Sequence, residues 1–163
     1  MPSQPVQLLP FDSLGINRVH RLLVEAVLAA LTQTFYENQY ADKVLEKIFK
    51  NHREWGARDR RFIAETFYEC VRWWRKYWFV LNEEISMDRL ALLRLWAVHW
   101  LLSGNELPDW TELKGFDVDV KQRLKEAETQ EAIFQSLPDW MYERGLQELG
   151  KKWTSILKAL NQT

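Results

Sequence analysis

Arg72 to Trp78, RWWRKYW, sets three tryptophans, one tyrosine and three cations in seven consecutive positions. Such residues serve a membrane surface, a nucleic-acid track where cations meet phosphates and rings meet bases, or the two sides of one helix. Other chemistry has less to build on. His20, His52 and His99 fall in three separate segments with no metal-ligand or acid/base spacing between them. Cys70 is the single cysteine, so an intrachain disulfide, a cysteine-based zinc site and a Cys-x-x-Cys redox pair are all excluded. Asp117 and Asp119 alternate without the glycine and closing glutamate of a calcium loop. They and Asp139 are expected to start helices or face water.

The net charge of −1 argues against a protein devoted to gripping polyanions, yet the charge is segregated. Tyr40 to Trp78 carries ten Lys and Arg against six Asp and Glu, which leaves the remainder strongly acidic. A single cysteine suits a reducing compartment. The opening MPSQPVQLLPFDSLG has neither the basic start nor the apolar core of a secretory signal. The longest nearly uncharged run, Leu95 to Gly104, is far shorter than the roughly 20 apolar residues of a spanning helix. A cytoplasmic protein with no membrane partner is expected.

Hydrophobic spacing predicts an all-α chain. A first helix is expected over Ser13 to Phe35, and a second, amphipathic one over Tyr40 to His52, with Ala41, Val44, Leu45, Ile48 and Phe49 on one face. After the break at Trp55-Gly56, a long third helix is expected from Arg58 to Leu81. The fourth, Asp88 to Ser103, is apolar nearly all round, the mark of a bundle centre. Gly104 and Pro108 close it. Shorter helices are expected near Asp119 to Ala127, Pro138 to Leu149 and Lys151 to Leu160.

On a helical wheel, Arg58 to Leu81 divides its residues. Phe62, Ile63, Phe67, Cys70, Trp73, Trp74, Tyr77 and Trp78 share one half, so the tryptophans are expected to be mostly core and Cys70 a small core residue. Opposite lie Arg58, Arg61, Tyr68, Arg72, Arg75 and Lys76. That stripe is either a solvated face laced by Arg61–Glu65 and Glu69–Arg72 pairs or an RNA contact. The RNA alternative gains from Lys43, Lys47 and Lys50 on the second helix and Arg53, Arg58, Arg60 and Arg61 at the turn, which antiparallel packing would join into one surface.

The segment GARDRRFIAETFYECVRWW resembles the N-terminal, NusB-like domain of the Sun (Fmu) family of RNA 5-methylcytosine methyltransferases. The match rests on Asp59, Arg60, Tyr68, Val71 and Arg72. ADKVLEKIFKNHREWG before it is similar too. So is SLPDWMYERGLQELGKKWTSILKALNQ, where Ser136, Pro138, Trp140 and Ala159-Leu160-Asn161 take the places of segments that lie just before the family's catalytic part. The resemblance covers most of the chain after about Asn17 and departs at Glu69, where the family commonly has glycine.

The resemblance implies a NusB-like helical bundle with additional C-terminal short helices: a tail over 1–12, an RNA-binding domain over 13–130 and a helical connector over 131–163. It further implies the front portion of a larger protein, followed by a methyltransferase domain that would hold S-adenosylmethionine and the attacking cysteine. This chain has no Gly-rich strand-to-helix turn for that cofactor. The implied partner is RNA, ribosomal or transfer, with Lys43, Lys47, Lys50, Arg53, Arg58, Arg60, Arg61, Tyr68, Arg72 and Arg75 as the contact set. The competing reading is a stand-alone NusB-like protein-interaction or transcription-antitermination module, in which the same strip is solvated or meets a protein.

Overall fold

The computed structural model describes residues 19–162, which form helices and no strand. The all-α expectation is met. The expected tail over 1–12 and the front of the expected first helix lie outside the described residues.

The first helix, α1 (Arg21–Phe35), and the second, α2 (Ala41–Asn51), turn their aliphatic sides inward, burying Val24, Val27, Leu28 and Leu31 from one and Val44, Leu45 and Ile48 from the other. α3 (Ala57–Arg72) packs across α1 and also meets α2. α5 (Arg89–Leu102) occupies the middle of the bundle, with Leu92, Leu93, Leu95, Trp96, Ala97 and Val98 all buried. Its lack of a polar face follows from having neighbours all round, among them α1, α3, α4 (Trp74–Leu81) and α6 (Val120–Glu128). Trp96, fully buried, stacks between Trp100 and Trp110 with ring centroids 5.4 Å from each. Asp88 starts α5 as its N-cap, its carboxylate accepting from the amides of Leu90 and Ala91 at 3.0 and 3.3 Å. Asp119 does the same for α6 through the Gln122 amide at 3.0 Å, as its sequence position suggested.

The long helix expected from Arg58 to Leu81 is two helices. Trp73, at φ −100° and ψ 22°, stands between α3 and α4. The residues on both sides keep helical spacing, so nothing local announces the break. Its cause is distant: the hydroxyl oxygen of Ser136 accepts from the amides of Arg75 and Lys76 at 3.0 and 3.3 Å, satisfying donors that the new helix start exposes. Asn82, in the left-handed region at φ 60°, ends α4. Arg123 of α6 donates to the Phe79 carbonyl there at 2.7 Å and lies over the Phe79 ring.

Two short elements escaped the periodicity: a single 3₁₀ turn at Thr111–Leu113 and the four-residue α7 (Glu131–Phe134). α7 packs on α6 and α4, so the expected connector over 131–163 begins on the bundle itself. α8 (Asp139–Leu149) and α9 (Lys152–Leu160) then form a helical hairpin across Gly150. Gly145 is the only buried residue of α8, because the Trp153 indole of α9 lies where a side chain at position 145 would sit. Among the described residues no helix is long and apolar enough to cross a membrane.

Candidate nucleic-acid interface

The cations of the expected contact set divide into two groups. The first gathers at the corner between α2 and α3. Lys43, Lys47 and Lys50 recur on one exposed face of α2 because α2 buries the other side, and Arg53, Arg58 and Arg61 follow across the turn, all exposed. Residues 40–61 hold seven Lys and Arg against four Asp and Glu. Glu46 bonds both Lys50 and Lys43, at 2.7 and 3.3 Å, and these bonds hold its carboxyl below the usual range. Arg61 pairs with Glu65 at 2.7 Å, one of the two helix-surface pairs expected from spacing. Exposed pairs of this kind add little to stability. Lys47 and Arg53 enter none of the ion pairs among the described residues.

Arg60 belongs to the same stretch but faces inward. Its Nε donates to the Trp55 carbonyl at 2.9 Å, a terminal nitrogen reaches the Phe49 carbonyl at 3.4 Å, and the guanidinium lies 5.5 Å from the Phe49 ring centre. It satisfies one carbonyl in the last turn of α2 and one in the turn just before α3, tying the two helices together from behind.

The second group lies at the α3–α4 junction, and protein surrounds it. Arg72 donates to the Leu160 carbonyl and the Asn161 side chain at 3.2 and 3.3 Å, with its guanidinium 5.0 Å from the Trp73 ring centre. Arg75 donates to the Leu137 carbonyl and pairs with Asp139 at 2.8 Å. Lys76, outside the expected contact set, sits 3.3 Å from the ring centre of Trp73 and 5.0 Å from that of Phe134. Burial, opposed by Glu69 and aided by Arg72, brings its ammonium down to about 8. These three side chains clamp α7 and the hairpin onto the α3–α4 junction. Glu69, expected to pair with Arg72, accepts from the Trp73 indole at 2.9 Å.

Tyr68 lies between the groups, exposed on the outer face of α3. The RWWRKYW rings are distributed between core and clamp. Trp78 and Tyr77 are buried, while Trp73 and Trp74 are half-buried, Trp74 stacking on Phe35 at 3.8 Å. Cys70 is fully buried, and burial pushes its thiol well above the ordinary range, which leaves it inert as a nucleophile. His99 is a core histidine, 3.2 Å from the Tyr77 hydroxyl, its pKa drawn down to about 4 by burial.

One surface feature has no counterpart in the expected set. His52 and Trp55 stack at the corner, ring centroids 4.1 Å apart and planes 12° from parallel. The turn that ends α2 produces the stack: the His52 amide closes the helix on Ile48, and the Trp55 amide bonds back to the His52 carbonyl at 3.3 Å. Two rings three residues apart beside a glycine were the available signal. Helical periodicity does not register it, since neither ring belongs to a helix.

No metal-binding cluster of His, Cys, Asp and Glu occurs among the described residues. With no strand there, they offer no strand-to-helix turn to cradle S-adenosylmethionine and do not fit that group. No family model, no curated protein and no solved structure matches the chain.

Proposed function

We propose that this chain is the RNA-positioning portion of an S-adenosylmethionine-dependent RNA cytosine 5-methyltransferase, non-catalytic by itself and built as a NusB-like bundle. The observation that carries the RNA part is the exposed cationic corner of Lys43, Lys47, Lys50, Arg53, Arg58 and Arg61 on a chain whose net charge is −1. The methyltransferase part rests on the sequence resemblance and assigns cofactor and nucleophile to a further domain. A corner of this kind holds phosphates by charge and shape rather than by reading base edges. Its affinity for ribosomal or transfer RNA is therefore modest and salt-sensitive, on the order of 10⁻⁴–10⁻⁶ M by analogy with nonspecific DNA binding.

The test is binding of a structured RNA to the full chain from low to physiological salt. The proposal expects log affinity to fall linearly with log salt; undetectable binding at low salt would remove its RNA part. The native gene product tests the other part. A product larger by a domain of ~150 residues or more, with a Gly-rich turn and a reactive cysteine, fits the methyltransferase assignment, and one ending at Thr163 contradicts it.

A second reading, a stand-alone helical interaction module of the antitermination type, draws on the C-terminal hairpin. Trp140, Met141, Leu146, Leu149 and Leu160 are exposed there, and apolar side chains grouped on one exposed element suit a protein partner. Under this reading a protein partner covers the hairpin, and RNA binding is absent at every salt concentration.

A further inference from the structure

Two rings flank a row of cations along the outer edge of α2. Tyr40, the residue before its first turn, is 82% exposed. On the helical wheel Tyr40, Lys43, Lys47 and Lys50 fall within about 80° of one another, and from Tyr40 to Lys50 the helix rises about 15 Å. At the far end the chain turns and His52 stacks on Trp55. Trp55 is partly buried and packed on the core, so it is a fixed floor. His52 lies on that floor with 46% of its side chain accessible, and Glu54 holds its edge through Nδ1 at 2.8 Å. The stack therefore presents an imidazole ring, already flattened and oriented, beside Lys50 and Arg53.

A paired RNA helix offers such rings nothing to stack on, because its bases already stack on one another and its major groove is too narrow for side chains. An unpaired strand offers a π-face at every nucleotide and a phosphate between each two. A row of cations between two stacking rings suits such a strand, with a base on the ring at each end and phosphates along the cations. We infer that α2 and its two flanking turns form a track for single-stranded RNA, with Tyr40 and His52 stacking on unpaired bases and Lys43, Lys47, Lys50 and Arg53 holding the phosphates between them. The track rests on the RNA reading given above and narrows it to loops or unpaired segments.

The experiment compares the full chain, at one low salt concentration, with a fluorescently labelled oligouridylate and with an RNA duplex carrying the same number of phosphates. The single strand is expected to bind more tightly. His52→Ala and Tyr40→Ala should each lower its affinity about 5- to 100-fold, the value of one stacked base. Both should leave the duplex affinity and the salt slope unchanged, because no phosphate contact is lost. His52→Phe keeps a flat ring and should restore single-strand binding, separating stacking from any local effect on the turn. Duplex binding as tight as single-strand binding, or ring variants with unaltered affinity, overturns the track while leaving the RNA-positioning role intact. Failure of both RNAs to bind overturns the track and that role together.

Discussion

At the α2–α3 corner Lys43, Lys47, Lys50, Arg53, Arg58 and Arg61 are exposed and Arg60 alone turns inward, whereas at the α3–α4 junction the cations around Trp73 face protein. Both segments interleave Lys and Arg with aromatic residues, HREWGARDRR in one and RWWRKYW in the other. The difference lies in what covers them. The corner lies where two helices meet, and among the described residues α2 packs mainly on α1 and α3. The junction lies under α7 and the α8–α9 hairpin, whose carbonyls at Leu137 and Leu160 need donors and find them in Arg75 and Arg72. The arginines at the junction are structural clamps because a later segment of chain brings carbonyls to them, and Arg60 is one because the preceding turn does.

The largest expected effect is on the inward side of RWWRKYW, at His99 against Tyr77. Burial holds the folded-state pKa of His99 near 4, against 6.5 for the free group. Between these values the unfolded chain holds a proton that the folded chain refuses, so stability falls as pH drops from about 6.5 to about 4 and this loss stops below that. Urea titrations at pH 7 and pH 4.5 should show wild type losing about 2–3 kcal/mol more than His99→Gln between the two.

Next comes the clamp. Arg75→Ala removes an ion pair and leaves the Leu137 carbonyl without its donor, so chemical denaturation should show a loss of about 2 kcal/mol, with no change in the salt slope of RNA binding. Gly145→Ala tests the hairpin that the clamp holds. A Cβ there would run into the Trp153 ring, so the substitution should destabilise by about 1–3 kcal/mol, where an unobstructed helix would gain from the same change.

The corner should behave in the opposite way. Lys47→Ala and Arg53→Ala are expected to alter stability by less than about 0.5 kcal/mol. Each should reduce the slope of log affinity against log salt by about 0.7 for a single-stranded RNA. The smallest effect is a gain: Glu46→Gln frees Lys43 and Lys50 from their shared carboxylate and should tighten RNA binding about 2- to 5-fold.

How far the sequence revealed this division depends on how local each cause is. α2, α5 and the helix start at Asp119 were legible because apolar spacing and a single acidic side chain decide them within a turn or two of helix. The exposed face of α2 followed directly, and with it Lys43, Lys47 and Lys50. The break at Trp73 was not legible, since its cause is Ser136, far along the chain. For the same reason Arg72 and Arg75 looked like the outer continuation of the Arg58–Arg61 stripe, when their partners lie at residues 137, 139, 160 and 161. Arg60 carried no sign that it would turn back onto the carbonyls of Phe49 and Trp55.

The most direct test of the division is RNA affinity measured across salt for three proteins: wild type, the corner variant with Lys47, Arg53, Arg58 and Arg61 all replaced by Ala, and Arg75→Ala at the junction. The account predicts a markedly shallower salt slope and weaker binding for the corner variant, beside a wild-type slope for folded Arg75→Ala. A corner variant that keeps the wild-type slope, or a junction variant that loses it while still folded, would contradict it.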